Sequence, residues 1–336
     1  MKHEIEDEEF EEWLQLETSE ENNDWVAQQA TQGLPLVLPW KTKILRLGTC
    51  FQSSLVHEDP WLQENPFILS DLYMIPKVLQ SEYGSTSSFH SVNTSRQSET
   101  SDHLSLGFGM GVGLPFLCSA SAKGTYDEDV KKNDDANKSS IRSSARAATV
   151  QLQRNPRLSH QAMAKLKYDG GYEAFTETYG DYFVWGYRIG GDTGLMLSSS
   201  SFSNKKVESY GITATVEVLF VEVSKTWTKD IHSFSAGKSM RLLGYDTLTD
   251  QTWNVTTAEN GIRALADRAE HIILRSQSVL ERTLEALEKQ NMADGDEISN
   301  EQCDFLTGNG LVVELVLLPM SALRDVARWT TERNVI

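Results

Sequence analysis

Few residues of this chain have the types and spacing that chemistry needs. The segment HSFSAGKS, residues 232–239, ends like a phosphate-binding loop. His232, however, stands where the GxxxxGK[ST] pattern requires its first glycine, so a tight cradle of backbone N–H groups is not specified. Gly107, Gly109, Gly111 and Gly113 fall at every second position and miss the G-x-G-x-x-G spacing of a pyrophosphate site. There is no G-x-S-x-G elbow, no H-E-x-x-H and no C-x-x-C pair. The seven histidines (3, 57, 90, 103, 160, 232 and 271) stand singly. Cys50, Cys118 and Cys303, odd in number and far apart, make neither a disulfide framework nor a metal cage, and are expected to be reduced and structural. No cofactor and no metal is therefore expected. An acid and a base brought together by folding stays open.

Charge and hydropathy narrow the classes further. Against 31 Lys and Arg stand 48 Asp and Glu, for a net charge of −17. Eleven of the acids lie in residues 1–24, among Phe10, Trp13, Leu14 and Leu16, so residues 1–35 read as an acidic N-terminal tail or a partner-docking amphipathic helix. No basic stripe exists to neutralise phosphates, which excludes nucleic acid as the default partner. No apolar run is long enough for a transmembrane helix, and MKHEIEDEEFEEW lacks the features of a secretory signal. The expectation is a product that is cytoplasmic as synthesised, with leaderless release open to it.

The elements that would position any site follow from pattern. Residues 36–336 read as a single domain, with a strand near 42–50 and a short helix or extended element in NPFILSDLYMIPKVLQSEYG. The Ser/Thr-rich stretch 84–103 reads as a loop. Residues 118–153 are strongly charged in their middle and read as exposed loop or short helix until the β-prone ATVQLQ. NPRLSHQAMAKL offers Ser159 as an N-cap, and GYEAFTETYG a second short helix ending at Gly180. Helical spacing recurs over 257–290, opened by a Thr256/Glu259 capping box. GLVVELVLLPMSAL reads as a buried strand stopped by Pro319, followed by a last helix in SALRDVARW. Strands interrupted by helical insertions, without strict βαβ alternation, make an α+β chain.

One strand pattern is unusual. LSLGFGMGVGLPF, residues 104–116, places Leu104, Leu106, Phe108, Met110, Val112, Leu114 and Phe116 on one face and Ser, Gly or Pro on the other. Such a strand serves either as a half-buried core strand that a neighbour approaches closely, the reading its residues favour, or as a lipid-facing wall.

Residues 179–191, YGDYFVWGYRIGG, carry a resemblance. Tyr-Gly, two residues, an aromatic, six residues and Gly-Gly is similar to the signature of the membrane attack complex/perforin (MACPF) family, with Tyr179, Gly180, Phe183, Gly190 and Gly191 on its fixed positions. Asp181 and Tyr182 depart from the family's usual Thr-His or Ser-His. LPFLCSASAKGTYDEDV and ANKSSIRSS resemble the fungal members. Taken alone, a Gly-Gly pair in a strand removes two side chains where a sheet bends or another backbone comes near.

The resemblance implies a bent, twisted antiparallel β-sheet flanked by helical clusters. It also implies membrane association or pore formation, as a homo-oligomer or through a separate targeting partner that brings the chain to a lipid membrane. In such a fold two helical segments unfurl into β-hairpins. The first candidate, 117–148, holds many charges and no alternating apolar face, and looks unfit for a bilayer. The second, 192–238, aligns Ile212, Ala214, Val216, Val218 and Phe220 before Glu222 intrudes. Candidate membrane-facing strands are thus Leu104 to Val112 and Ile212 to Phe220. Two alternatives stand beside pore formation. One is a non-lytic binding or scaffold protein. The other is an enzyme recruited from this fold, a cofactor-independent cyclase or isomerase folding an apolar small molecule in a pocket lined by Trp185, Tyr187 and Trp227, where restraint of shape would do the catalysis.

Overall fold

A computed structural model describes residues 25–40, 45–56, 58–94, 103–104, 122–135, 137–199 and 240–333. In chain order the elements are α1 (Trp25–Thr31), β1 (Leu36–Pro39), β2 (Cys50–Phe51), β3 (Trp61–Leu62), α2 (Leu69–Met74), β4 (Lys77–Thr94), α3 (Ala122–Lys131), β5 (Asn137–Leu152), α4 (His160–Tyr168), α5 (Gly171–Tyr179) and β6 (Tyr182–Ser199). After these come β7 (Met240–Asp246), β8 (Gln251–Thr256), α6 (Thr257–Gln277), α7 (Val279–Lys289), α8 (Asn300–Gly308), β9 (Val312–Pro319) and α9 (Arg324–Arg333).

All nine strands of the described residues join one antiparallel, bent and unclosed sheet, so the chain is α+β, the arrangement that the resemblance implies. Its centre is β6, which pairs with β5 along most of its length, while β5 pairs with β4. Residues 182–197 and 310–318, expected as strands of one antiparallel sheet, are realised as β6 and β9, paired from Tyr182↔Pro319 to Ile189↔Val312. Of residues 104–116 and 211–227, expected in the same sheet, only Leu104 is described, and it is not in a strand; the rest lie outside the described residues.

Three apolar clusters hold the sheet. The largest packs the lower half of β6 (Phe183, Val184, Tyr187, Ile189) against β1, β9 and the helices α4, α5 and α8. Higher up, Ile141, Leu195, Leu197 and Leu242 on one face meet Leu265, Ala269, Ile272 and Ile273 of α6. On the opposite face Met196, Leu243 and Tyr245 meet Leu104 and the Ala122, Tyr126 and Val130 side of α3. The alternation of β6 therefore buries both faces, one under each helix.

Several expectations are corrected. Residues 84–94 are not loop but the distal part of β4, paired from Thr86↔Arg146 to Thr94↔Lys138. A Ser/Thr-rich strand lacks the apolar alternation that marks one in sequence, and β4 is held instead by its ladder to β5. Likewise β5 begins at Asn137, well before ATVQLQ, and α3 buries Lys123, Tyr126 and Asp127 rather than exposing them. The strand expected near 42–50 is only Cys50–Phe51 among the described residues. Helix 257–290 breaks at Ser278 into α6 and α7, and the Thr256 side chain makes no cap bond. The folded unit starts before residue 36, because α1 inserts Val26 into the main core.

Two local expectations are realised. Ser159 caps α4 by accepting from the Ala162 N–H at 3.2 Å. Ser159→Ala should therefore destabilise the fold by about 1 kcal/mol, and unchanged urea unfolding would refute the cap's contribution. Gly180 ends α5 at φ 84°, and a Cβ there would stand 2.5 Å from the Phe51 carbonyl oxygen.

Candidate functional site

The signature residues run along one path through the core. Tyr179 closes α5, buried against Phe175 with ring centroids 5.2 Å apart, and Phe183 is fully buried against Phe67 at 5.3 Å. At the departures from the family pattern, Asp181 accepts from the Ser53 N–H at 2.7 Å and from the Ser53 hydroxyl, and the Tyr182 hydroxyl donates to the Leu34 carbonyl at 2.8 Å. Burial raises the Asp181 carboxyl's pKa against those bonds. These contacts tie the start of β6 to the turn after β2 and to the residues before β1.

Gly190 and Gly191 stand where β6 changes partner. One edge of β6 pairs with β9 through Ile189 and with β7 from Thr193 onward. Between them the Gly190 N–H donates to the Leu311 carbonyl at 2.9 Å and the Asp192 N–H to the Thr247 hydroxyl at 2.8 Å. On the other edge β5 bulges, its register shifting between Arg146↔Gly190 and Ala148↔Ile189. The bulge brings the chains so close that a Cβ on Gly190 would lie 1.9 Å from the Ala145 carbonyl oxygen. A Cβ on Gly191 would lie 2.8 Å from Leu248 and 2.9 Å from Val279 side-chain atoms. Neither glycine has a positive φ, so lack of room, not backbone strain, requires glycine here.

The next residue, Asp192, is a fully buried carboxylate on the α3 face. Its two oxygens accept from Lys123 Nζ of α3 and Arg146 Nη1 of β5, both at 2.7 Å. Arg146 also reaches Glu314 of β9 at 2.7 Å, and Glu314 accepts from Arg188 at 3.2 Å. Burial works against the Asp192 charge, but Arg146 and Lys123 outweigh it and hold the carboxyl well below the usual carboxylate range.

Asp246, at the end of β7, is the counterpart on the opposite face. It is fully buried and takes Arg275 of α6 and, at 2.8 Å, Arg282 of α7, bridging the helix break. The turn after it links the two faces. Asp250, at φ 47°, accepts from the Ala122 N–H at 2.9 Å and so caps α3, while Thr249 accepts from Arg275 at 3.1 Å. The partner switch thus anchors α3 on one face and α6 with α7 on the other through buried charge pairs.

Of the candidate membrane-facing residues, Leu104 is buried in the α3 cluster. Leu106, Phe108, Met110, Val112, Ile212, Val216, Val218 and Phe220, and the pocket candidate Trp227, lie outside the described residues. Of the other pocket candidates, Trp185 and Tyr187 stand in different surroundings. Trp185 packs partly buried on the main core. The buried Tyr187 donates its hydroxyl proton to the Leu45 carbonyl and borders a cleft of about 200 Å³ with Lys77, Cys303 and Asp304. Sequence reasoning passed over Asp192, Asp246, Lys123 and Arg146. The available signal was the acid in GGDTG, a charge set inside a strand whose flanks are apolar. Among the described residues no His, Cys, Asp or Glu group could hold a metal ion, and no helix is long and apolar enough to cross a membrane.

No family model matches the chain, and no curated protein matches it. Solved structures do. The chain is similar to GNIP1Aa from Chromobacterium piscinae at 14% identity and a TM-score of 0.31, covering 89% of this chain and 56% of that one. It is similar to a putative cell invasion protein with a MAC/Perforin domain from Bacteroides thetaiotaomicron at 11% identity and a TM-score of 0.29, covering 89% and 62%. Wild-type pneumolysin, a Streptococcus pneumoniae protein, aligns at 9% identity and a TM-score of 0.37, covering 85% and 59%. This chain thus spans less than two thirds of each of the three. The family that the signature resembles is represented among them, and the fold assignment rests on the strand pairings of this chain.

Proposed function

We propose that the chain acts on membranes by insertion, as an oligomer or with a separate targeting partner. The observation that supports this is where two long connections leave the sheet. The register pairs Thr94 with Lys138, Asn137 with Ser199, and Ser199 with Met240. Connections 95–136 and 200–239 therefore depart from the same end of the four-strand run β4–β5–β6–β7, each about 40 residues long where a hairpin needs only 2–5. Drawn out as a hairpin, each supplies two arms of about 20 residues. At roughly 3.3 Å per residue an arm reaches about 65 Å, more than a tilted strand needs to cross a hydrocarbon core of about 30 Å. Lipid admits strands only as a closed barrel, which one chain with two hairpins cannot make, so assembly is part of the proposal.

The non-lytic reading has an observation of its own, the buried Lys123–Asp192 pair that fastens α3 to the sheet. Dye release from phosphatidylcholine vesicles, with electron microscopy of the same vesicles, separates the two. Rings with leakage support insertion. Neither rings nor leakage, with candidate partners added and with residues 1–24 deleted, refutes it and leaves the scaffold. Deleting the eleven acids of residues 1–24 should increase leakage, because tails brought within a Debye length around a ring repel one another. Vesicles of anionic lipid should be bound weakly by a chain of net charge −17.

A further inference from the structure

His103 and Leu104 sit between the sheet and α3, meeting β5, β6 and β7 on one side and α3, a later part of the same connection, on the other. Leu104 is buried among Tyr126, Met196, Leu243 and Tyr245, and its carbonyl accepts from Arg142 Nη1 at 2.7 Å. The His103 carbonyl accepts from the Tyr126 hydroxyl at 3.0 Å. The His103 ring has no solvent exposure, and its Nδ1 shares a hydrogen bond of 2.8 Å with the hydroxyl of Ser140, itself fully buried on β5. We propose that His103 is an acid-sensitive pin, which fastens residues 103–104 and α3 to the sheet while its ring is neutral and frees them when the ring is protonated.

The surroundings oppose a charge on the ring. From β5, Lys138 and Arg142 bear on it as cations. From α3 come Tyr126 and, next to it, the buried Asp127; from the turn that follows, Asp134 and Asp135 bear on Lys138, and Asp135 accepts from Ser198 of β6. From β7 the neighbour is Tyr245, tilted against Tyr126 at 4.8 Å. Burial first, then the two cations, push the ring's pKa down to about 4. An undocked histidine has its ordinary value near 6.5. Between those two values the undocked form binds a proton that the docked form does not, so docking weakens as pH falls from about 6.5 to about 4. From pH 7 to pH 5 the shift in the docking equilibrium is roughly 20-fold toward release.

The purpose given to this pin, freeing a segment for insertion, rests on the proposed function; its existence does not. Backbone hydrogen exchange of the full chain at pH 7 and pH 5, corrected for the intrinsic chemical rate, reads the opening of α3 directly. In the wild type that opening should increase roughly 20-fold at pH 5. In His103→Gln, which keeps a polar group for Ser140 but does not titrate there, it should be unchanged between the two pH values. Ser140→Ala should open α3 more at both pH values and keep the pH response, which preserves the test if the glutamine variant misfolds. NMR titration of His103 should give a pKa below 5. An ordinary value near 6.5, or the same acid response in His103→Gln, overturns the pin. Acid-opened α3 without leakage from phosphatidylcholine vesicles keeps the pin and counts against insertion; leakage with no acid opening of α3 does the reverse.

Discussion

Gly190→Ala should lower the stability of the fold by about 3 kcal/mol or more, at the upper end of what overpacking a core costs. The added methyl would stand 1.9 Å from the Ala145 carbonyl oxygen, an atom of the β5 backbone that no rotamer change can move. Relief requires opening the β5–β6 ladder at the bulge, and with it the Arg146 contacts to Asp192 and Glu314. Gly191→Ala is the control. Its methyl would meet Leu248 and Val279 at 2.8 and 2.9 Å, side chains that can turn aside, so about 1–2 kcal/mol is expected. Urea unfolding of the two variants checks the order. Equal losses would mean that the partner switch yields as a whole and that the close approach at Gly190 is not what selects glycine.

How much of this the sequence displayed depends on distance along the chain. The buried strand stopped by Pro319, the Ser159 cap and the end of α5 at Gly180 are each fixed by neighbours within a few residues, and they were legible. The distal half of β4 was not. Its Ser and Thr side chains give no period, and its strand conformation comes from a partner up to 60 residues on, as Thr86 pairs with Arg146. Nor was the helix break at Ser278, which the Asp246 bridge to Arg275 and Arg282 spans. The Gly-Gly pair was legible as a place of close approach, but the reason for it, a bulge on β5 opposite a change of partner, needed the register. The charges of residues 123–138 were legible only as composition. Lys123 belongs to a carboxylate 69 positions away, and no local pattern encodes that pairing.

Asp192→Asn should cost about 3–5 kcal/mol, because it removes the buried carboxylate that Lys123 and Arg146 share. The two cations are not equivalent. Arg146 keeps Glu314 as a partner, whereas Lys123, with 5% of its side chain exposed, carries the ion pair from α3 to β6. The loss should therefore fall unevenly: hydrogen exchange in α3 should rise more than in β9. Lys123→Met should loosen α3 alone and cost less, since Asp192 then keeps Arg146. The double variant should recover part of the summed loss, with a coupling above about 1 kcal/mol as befits a contact pair. The pH dependence has a definite sign. Asp192 is ionised in the fold well below the range in which an unfolded aspartate takes up its proton, near 3.9, so its contribution is complete above that value and is lost only as pH falls beneath it. Wild type and Asp192→Asn should then differ by a constant amount from pH 5 to pH 8. The His103 response occupies the higher window, between about 6.5 and 4, and should survive in both. An Asp192→Asn variant within 1 kcal/mol of wild type would show that the carboxylate does not hold α3, and the partner switch would be a packing feature without an electrostatic clamp.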